Sequence, residues 1–254
     1  MKIVIITQDD PFYLAENLDY LFSLIDGQHE VVGCVVSKVS PFGKKESFIQ
    51  KASKTARIFG LRFFIRYALK FVLSKINPNK KVKRVLKKYD IPEVELLKSI
   101  NSKESLERIN SLKPDLLISI AGNEIFKLPL INLAPKGCLN LHTALLPKYR
   151  GLMPSFWVLK NKEEFSGVSV FYVDEGIDSG PILVQKKFSL KGLTQEQLIK
   201  DSKKLGMEAI YESVCAIENG TVELKSNDDE YKSYYGFPTS EDVKEFNKVG
   251  AKFY

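Results

Sequence analysis

The chain has 254 residues, 44% hydrophobic and 27% charged, with a net charge of +7. That length buries one core with room for a small appendage, and the composition is that of an ordinary soluble globular protein. No apolar stretch reaches the roughly 18 residues of a membrane span, the opening MKIVIITQDD is too short for a signal peptide, and Cys34, Cys138 and Cys215 lack metal-ligand spacing, which sets aside a membrane-spanning, exported or metal-dependent protein and favours a cytoplasmic one with reduced thiols.

Residues 2–7, KIVIIT, read as a short buried strand of a parallel sheet. Gln8, Asp9, Asp10 and Pro11 form a loop, and Phe12 to Ile25 carries apolar residues at helical spacing. Glu30 to Ser37 reads as a second strand, and this β-α-β opening predicts a Rossmann-like half-sheet. No GxGxxG follows the first strand, so no dinucleotide cofactor is expected. His29 lies in a short polar loop and reads as solvent-exposed.

Ser40 to Gly43 reads as a turn, and about 44–90 as a basic helical insertion. Residues 41–90 hold fifteen Lys and Arg against Glu46 and Asp90, a local balance of +13 that leaves −6 for the remainder. Arg62, Arg66 and Lys70 recur every four residues and share a helix face, with Phe59, Phe63, Phe64, Tyr67 and Phe71 nearby. Two readings stand here. One is a membrane-surface helix or a platform for an anionic or lipid-linked acceptor. The other is an insertion whose aromatics pack on the core and whose cations face water. No RNA-binding motif accompanies it.

Beyond Asp90-Ile-Pro92, Ser105 to Leu112 reads as a short helix and Leu116 to Ala121 as another buried strand. Ala121-Gly122-Asn123 is a tight connection in which Gly122 serves either a close approach or a left-handed turn. Met153 to Lys160 starts a helix with Pro154 in its first turn, and Phe156 and Trp157 read as core. Residues 181–190 are a further strand. Thr194 and Gln197 form a capping-box signature for a long helix that Asn219-Gly220 stops near Glu218. The tail from Ser226 to Tyr254 is polar and tyrosine-rich, with few strand signals; it reads as wrapping the body or contributing to a homodimer contact.

The rest of the chain is organised around Gly137 to Gly180. Period-2 geometry puts Asn140 and His142 on one face of a strand, with Leu139 and Leu141 on the other. A second strand, GVSVFYV, runs into the loop DEGIDSG, so an amide, an imidazole and a carboxylate arrive at strand ends, where open α/β sheets bind ligands. Asn140-Leu-His142 followed by LLPKYRG, and Gly167 to Gly180 with Asp178 near its end, resemble the two signatures of the folate-dependent formyltransferases. That family includes methionyl-tRNA, glycinamide ribonucleotide and amino-sugar N-formyltransferases. The resemblance covers 114–190 well and 1–7 weakly. It implies a Rossmann-like formyltransferase fold, α/β with a mostly parallel sheet flanked by helices, a catalytic domain over 1–190 carrying the basic insertion, and a C-terminal helix and extension over 191–254. It also implies 10-formyltetrahydrofolate as formyl donor, with no metal.

Formyl transfer to an amine needs a proton acceptor, a donor to the developing oxyanion and a carboxylate that orients the imidazole and stabilises its cation. His142, Asn140 and Asp178 match these roles; which of His142 and Asp178 takes the proton first stays open. By resemblance, Ala121, Gly122, Asn123 and Ile125 form one folate-contacting loop, and Asp174, Glu175, Gly176 and Ile177 the other. Tyr149, Arg150 and Gly151 resemble the turn after LLP. Arg150 reads equally as a hold for an anionic group on the acceptor or folate and as a structural clamp.

The acceptor follows by elimination. Gln8-Asp9-Asp10-Pro11 is unlike the Gly/Ser-rich phosphate loop of glycinamide ribonucleotide enzymes. The 64 residues after Leu190 begin as helix, which suits poorly the β-barrel of methionyl-tRNA formyltransferases, so tRNA is the poorer partner. A nucleotide-linked amino sugar for surface polysaccharide synthesis is the remaining reading. A formyltetrahydrofolate hydrolase, which would use the same triad with water, and a non-catalytic binding protein are the rivals from other classes.

Overall fold

Short apolar runs whose two faces are both covered become the parallel strands of one sheet. The computed structural model describes residues 1–37 and 47–254, so the turn read at Ser40 to Gly43 and the start of the insertion lie outside the described residues. Strands β1 (Lys2–Gln8), β2 (Glu30–Ser37), β3 (Glu93–Val94), β4 (Leu116–Ile120) and β5 (Cys138–His142) run parallel to their neighbours. After β6 (Arg150–Gly151), which stands outside this sheet, β7 (Phe165–Tyr172) and β8 (Ile182–Ser189) add on antiparallel. The order is β3-β2-β1-β4-β5-β7-β8. The chain winds outward in one direction from β1 to β3 and in the other from β4, so a crevice opens beyond the carboxyl ends of β1 and β4.

Both faces are covered by helices. On one, α1 (Leu14–Ile25) buries Leu14, Leu18, Leu21 and Phe22 against Ile3, Ile5 and Leu139. Along the insertion follow α2 (Phe48–Phe59), α3 (Leu61–Ile76) and α4 (Val82–Lys88), the last of which joins the same core. On the other face, α5 (Lys103–Asn110) and α6 (Leu128–Ile131) pack on Val4, Ile6 and Leu117. After α7 (Pro154–Lys160), the long α8 (Gln195–Asn219) returns to the first face through Met207, Ala209, Ile210 and Val214. Its capping box, Thr194 with Gln197, and its left-handed Gly220 end are both present.

The tail wraps the body and contains more order than its composition suggests. Tyr234–Tyr235 forms β9, which pairs with β6, and Ser240–Lys248 forms α9, capped by Thr239 and Asp242. Phe246 and Phe253 stack on Phe156, which closes a third apolar cluster with Trp157 and Val243.

The aromatics of the insertion follow the second reading made of it, and some of its cations pair with carboxylates of the body. Gly60, at φ +86°, separates α2 from α3. Phe59 and Phe63 stack and meet Phe253, while Tyr67 and Phe71 meet Phe12, so these aromatics do pack on the body. Lys70 bonds Glu196 at 2.7 Å and Lys88 bonds Asp19 at 2.6 Å.

His29 is not solvent-exposed. Its side chain is buried, its ring nitrogens make no hydrogen bond among the described residues, and Nδ1 lies 3.5 Å from Glu218 at the end of α8. Burial, opposed by the Glu218 carboxylate, holds its pKa below the ordinary 6.5. The unfolded chain therefore takes up a proton near pH 6.5 that the folded chain resists. Stability should fall as the pH drops below that value and level off once the folded imidazole also titrates. In urea midpoints followed against pH, His29→Leu should flatten this component; an unchanged slope would mean that other groups set it.

Candidate active site

Asn140 and His142 stand at the carboxyl end of β5, where Asn140 pairs with Phe171 and His142 with Ser169 on β7. The loop after His142 is held from that same strand. Buried Ser169 donates to the Ala144 carbonyl at 2.7 Å and accepts from the Leu146 N–H, and Gln185 on β8 donates to the Leu146 carbonyl at 2.8 Å. Beyond β7 the chain folds back on itself. Asp174 accepts from the Gly176 N–H at 3.0 Å and from the Ser179 hydroxyl at 2.6 Å. Gly180 lies against β7 so closely that a Cβ would sit 1.8 Å from the Tyr172 carbonyl oxygen, which is why that position takes no side chain. This reversal delivers Asp178 to His142.

The imidazole is buried and doubly placed. Nε2 donates to the Tyr149 carbonyl at 2.7 Å, since a carbonyl can only accept. Nδ1 is therefore the unprotonated nitrogen of the neutral ring, and it lies 3.5 Å from Asp178 Oδ2. That carboxylate oxygen accepts from the Gly151 N–H at 2.8 Å, and Asn227 holds the loop by donating to the Asp178 and Gly180 carbonyls, both at 2.9 Å. The Tyr149 carbonyl orients the ring; Asp178 is positioned to meet the cation once Nδ1 gains a proton. Four non-glycine residues at positive φ, Ala121, Tyr149, Met153 and Asp178, are gathered around this constellation. Backbone held in that region costs free energy and concentrates at sites of function.

Asn140, His142 and Asp178 open onto a cleft of ≈ 490 Å³ at the switch point of the sheet. Ala121, Gly122 and Ile125 line one side with Asp174, Gly176 and Ile177, while Gln8, Asn17 and Lys203 come from β1, α1 and α8. Lys203 lies 4.0 Å from Asp10, and burial holds its ammonium below the ordinary lysine pKa.

A family model described as formyl transferase matches residues 66–214, more than half of the chain. The chain belongs to the formyl transferase family. A methionyl-tRNA formyltransferase of Kosmotoga olearia is 34% identical over 67% of this chain and 58% of its own length. The chain spans little more than half the length of the curated relatives it matches. Among solved structures, an N-formyltransferase from Helicobacter canadensis in complex with folinic acid and dTDP-3-aminofucose superposes with a TM-score of 0.61, at 17% identity over 98% of this chain and 80% of that one. A glycinamide ribonucleotide transformylase from Symbiobacterium toebii gives 0.62, at 16% identity over 89% and 92%. Likeness at that identity is likeness of fold.

The formyl transferase fold brings together most of the residues expected at the site. Four stand elsewhere: Asn123, Glu175, Tyr149 and Arg150 are not on the cleft lining. The Tyr149 ring packs on Tyr235 and its hydroxyl donates to Glu163 at 2.7 Å, so only its carbonyl serves the site. Arg150 is the clamp. Its buried guanidinium donates to Asp229 at 2.7 Å and to the Asn227 carbonyl and side chain at 3.0 Å, tying the tail to the loop that carries Gly151. The left-handed residue of the 121–123 turn is Ala121, at φ +57°, whereas Gly122 provides close approach: a Cβ there would lie 2.7 Å from Ser119 Oγ. Lys203 was not foreseen. Ile199, Ser202, Lys203 and Met207 share a stripe of α8 facing the cleft, a spacing that sequence alone does not separate from ordinary core.

Proposed function

We propose that this chain is an N-formyltransferase that moves the formyl group of 10-formyltetrahydrofolate onto a primary amine, with Asn140, His142 and Asp178 as the reacting constellation. The observation that carries the reading is the placement of His142 on the cleft: Nε2 is bonded to the Tyr149 carbonyl, and Nδ1 lies 3.5 Å from Asp178 Oδ2. The cleft fits the donor's flat, hydrogen-bonding ring. It is lined by Ala121, Gly122, Asp174 and Gly176, edged by Ile125, Phe126 and Ile177, and lies within the size range of small-molecule sites.

The folate supplies an activated formyl carbon. As the acceptor nitrogen bonds to that carbon, the Asn140 amide donates to the oxygen that gains charge. His142 Nδ1 takes the proton the amine sheds, and Asp178 stabilises the resulting imidazolium. The same proton then passes from His142 to the departing folate nitrogen as the carbonyl re-forms, so the ring returns to its starting tautomer.

For the acceptor, we propose a nucleotide-linked amino sugar. Lys203, half-hidden in the cleft with Asp10 at 4.0 Å as its ion-pair partner among the described residues, suits a phosphate-bearing molecule better than a neutral one. Methionyl-tRNA is the second reading, favoured by the names of the curated relatives. Steady-state assays with a panel of nucleotide-linked amino sugars and charged initiator tRNA separate the two. Lys203→Met should raise the KM for the true acceptor about 10- to 100-fold, as expected for a lost charge-assisted bond, with little change for the folate. An unchanged acceptor KM would place the phosphate elsewhere.

A further inference from the structure

Phe63, Tyr67 and Phe71 turn one side of α3 onto the body, and the other side carries an apolar face that stands exposed. Leu61, Ile65, Leu69, Val72, Leu73 and Ile76 are each between 51% and 72% accessible. At about 100° per residue they fall within an arc of about 120°. Six adjoining aliphatic side chains amount to several hundred Å² of contiguous apolar surface, a scale that marks an interaction site. Ile49 on α2 is 78% exposed as well.

Cations border this face. Arg66 and Lys70 descend one flank and Lys75 the other, with Arg62 at the edge of the face itself, within the stretch whose net charge is +13. Glu196 meets Lys70 at 2.7 Å and Arg66 only at 4.0 Å, so it balances a small part of that charge. A second copy of the chain would bring like-charged flanks together. RNA would engage cations and aromatic faces, yet these aromatics point inward and the aliphatics would stay wet. No helix among the described residues is long and apolar enough to cross a membrane.

We propose that this face of α3 docks on a bilayer that carries anionic lipids. The helix lies in the interface with its six aliphatic side chains at the acyl boundary and its flanking cations at the headgroup phosphates. Helix α3 is tied to the two helices that contribute to the cleft: Lys70 bonds Tyr13 just before α1 and Glu196 in the first turn of α8. The inference goes beyond the acceptor reading and holds for either acceptor.

The test is sedimentation of the full chain with phosphatidylcholine vesicles, with and without phosphatidylglycerol, at low and raised salt. The expected result is about tenfold or greater preference for the anionic vesicles, weakened by salt. The variant L69E/L73E, changed only at exposed positions, should lose that binding while keeping its melting temperature and its folate turnover. Failure of the wild-type chain to bind anionic vesicles at low salt overturns the proposal, as does equal binding by the variant. A wild-type dimer that L69E/L73E converts to monomer would assign the face to a second copy instead. Because folate turnover is read in the same samples, failure of the docking and failure of the reaction are told apart.

Discussion

His142→Ala should lower the rate of formyl transfer by about 10²–10⁴-fold, the contribution of a positioned general base. In the proposed mechanism Nδ1 takes the proton, with Nε2 held by the Tyr149 carbonyl and Asp178 beside Nδ1 at 3.5 Å. Asn140→Ala should cost about 10²–10³-fold, as for other single oxyanion donors, and Asp178→Asn a loss of the same order because the imidazolium loses its counter-charge. All three losses should appear in kcat, with KM for the folate nearly unchanged, since in the proposed mechanism these groups act on charge that develops during reaction. The double variant N140A/H142A should fall well short of the product of the single effects. Single-turnover rates of tetrahydrofolate formation check the set. A folate KM that rises while kcat holds would mean that the residues bind rather than react.

The second large effect is expected at a position with no side chain. Gly151 sits at φ +96°, and a Cβ there would lie 2.4 Å from the Tyr235 carbonyl and 2.9 Å from the Tyr234 ring. Its N–H also holds Asp178 at 2.8 Å. Gly151→Ala must therefore shift either β6 or β9, and the carboxylate moves with them. We expect a loss of stability of about 1–3 kcal/mol from backbone strain and overlap. A drop of about 10²-fold in kcat should accompany it, the usual consequence of misplacing a reacting group by an ångström. Gly220→Ala is the control. Its φ is +65° but nothing lies within 4 Å of the added carbon, and it ends α8 away from the cleft. That variant should cost about 1 kcal/mol and leave kcat alone. Melting curves beside kcat separate the two; equal activity in both variants would show that the tail does not support the site.

What was legible beforehand follows from how local each signal is. KIVIIT, EVVGCVVS and LLISI announced buried strands because a strand covered on both faces has no reason to alternate. Asn140 and His142 share a face by period alone, and the cap of α8 was written in Thr194 and Gln197. The features left open or missed depend on partners distant in sequence. The Arg150 clamp closes on Asp229, His29 is covered beside Glu218, and Lys203 faces a cleft built by other elements. The tail helix did carry a local signal, Thr239 with Asp242, but its apolar content is only Val243 and Phe246, whose complement is Phe156 far upstream. On α3 the aliphatic stripe has the spacing of a core face and stands in solvent instead.

The most direct test of the central claim follows a carbon-labelled formyl group from 10-formyltetrahydrofolate, by mass spectrometry, in the presence of the amine panel. Label should appear in one amine product in step with tetrahydrofolate, and both should vanish in H142A. Tetrahydrofolate released with labelled formate and no labelled amine would make water the acceptor, and folate bound without turnover would make the chain a binding protein; either contradicts the account.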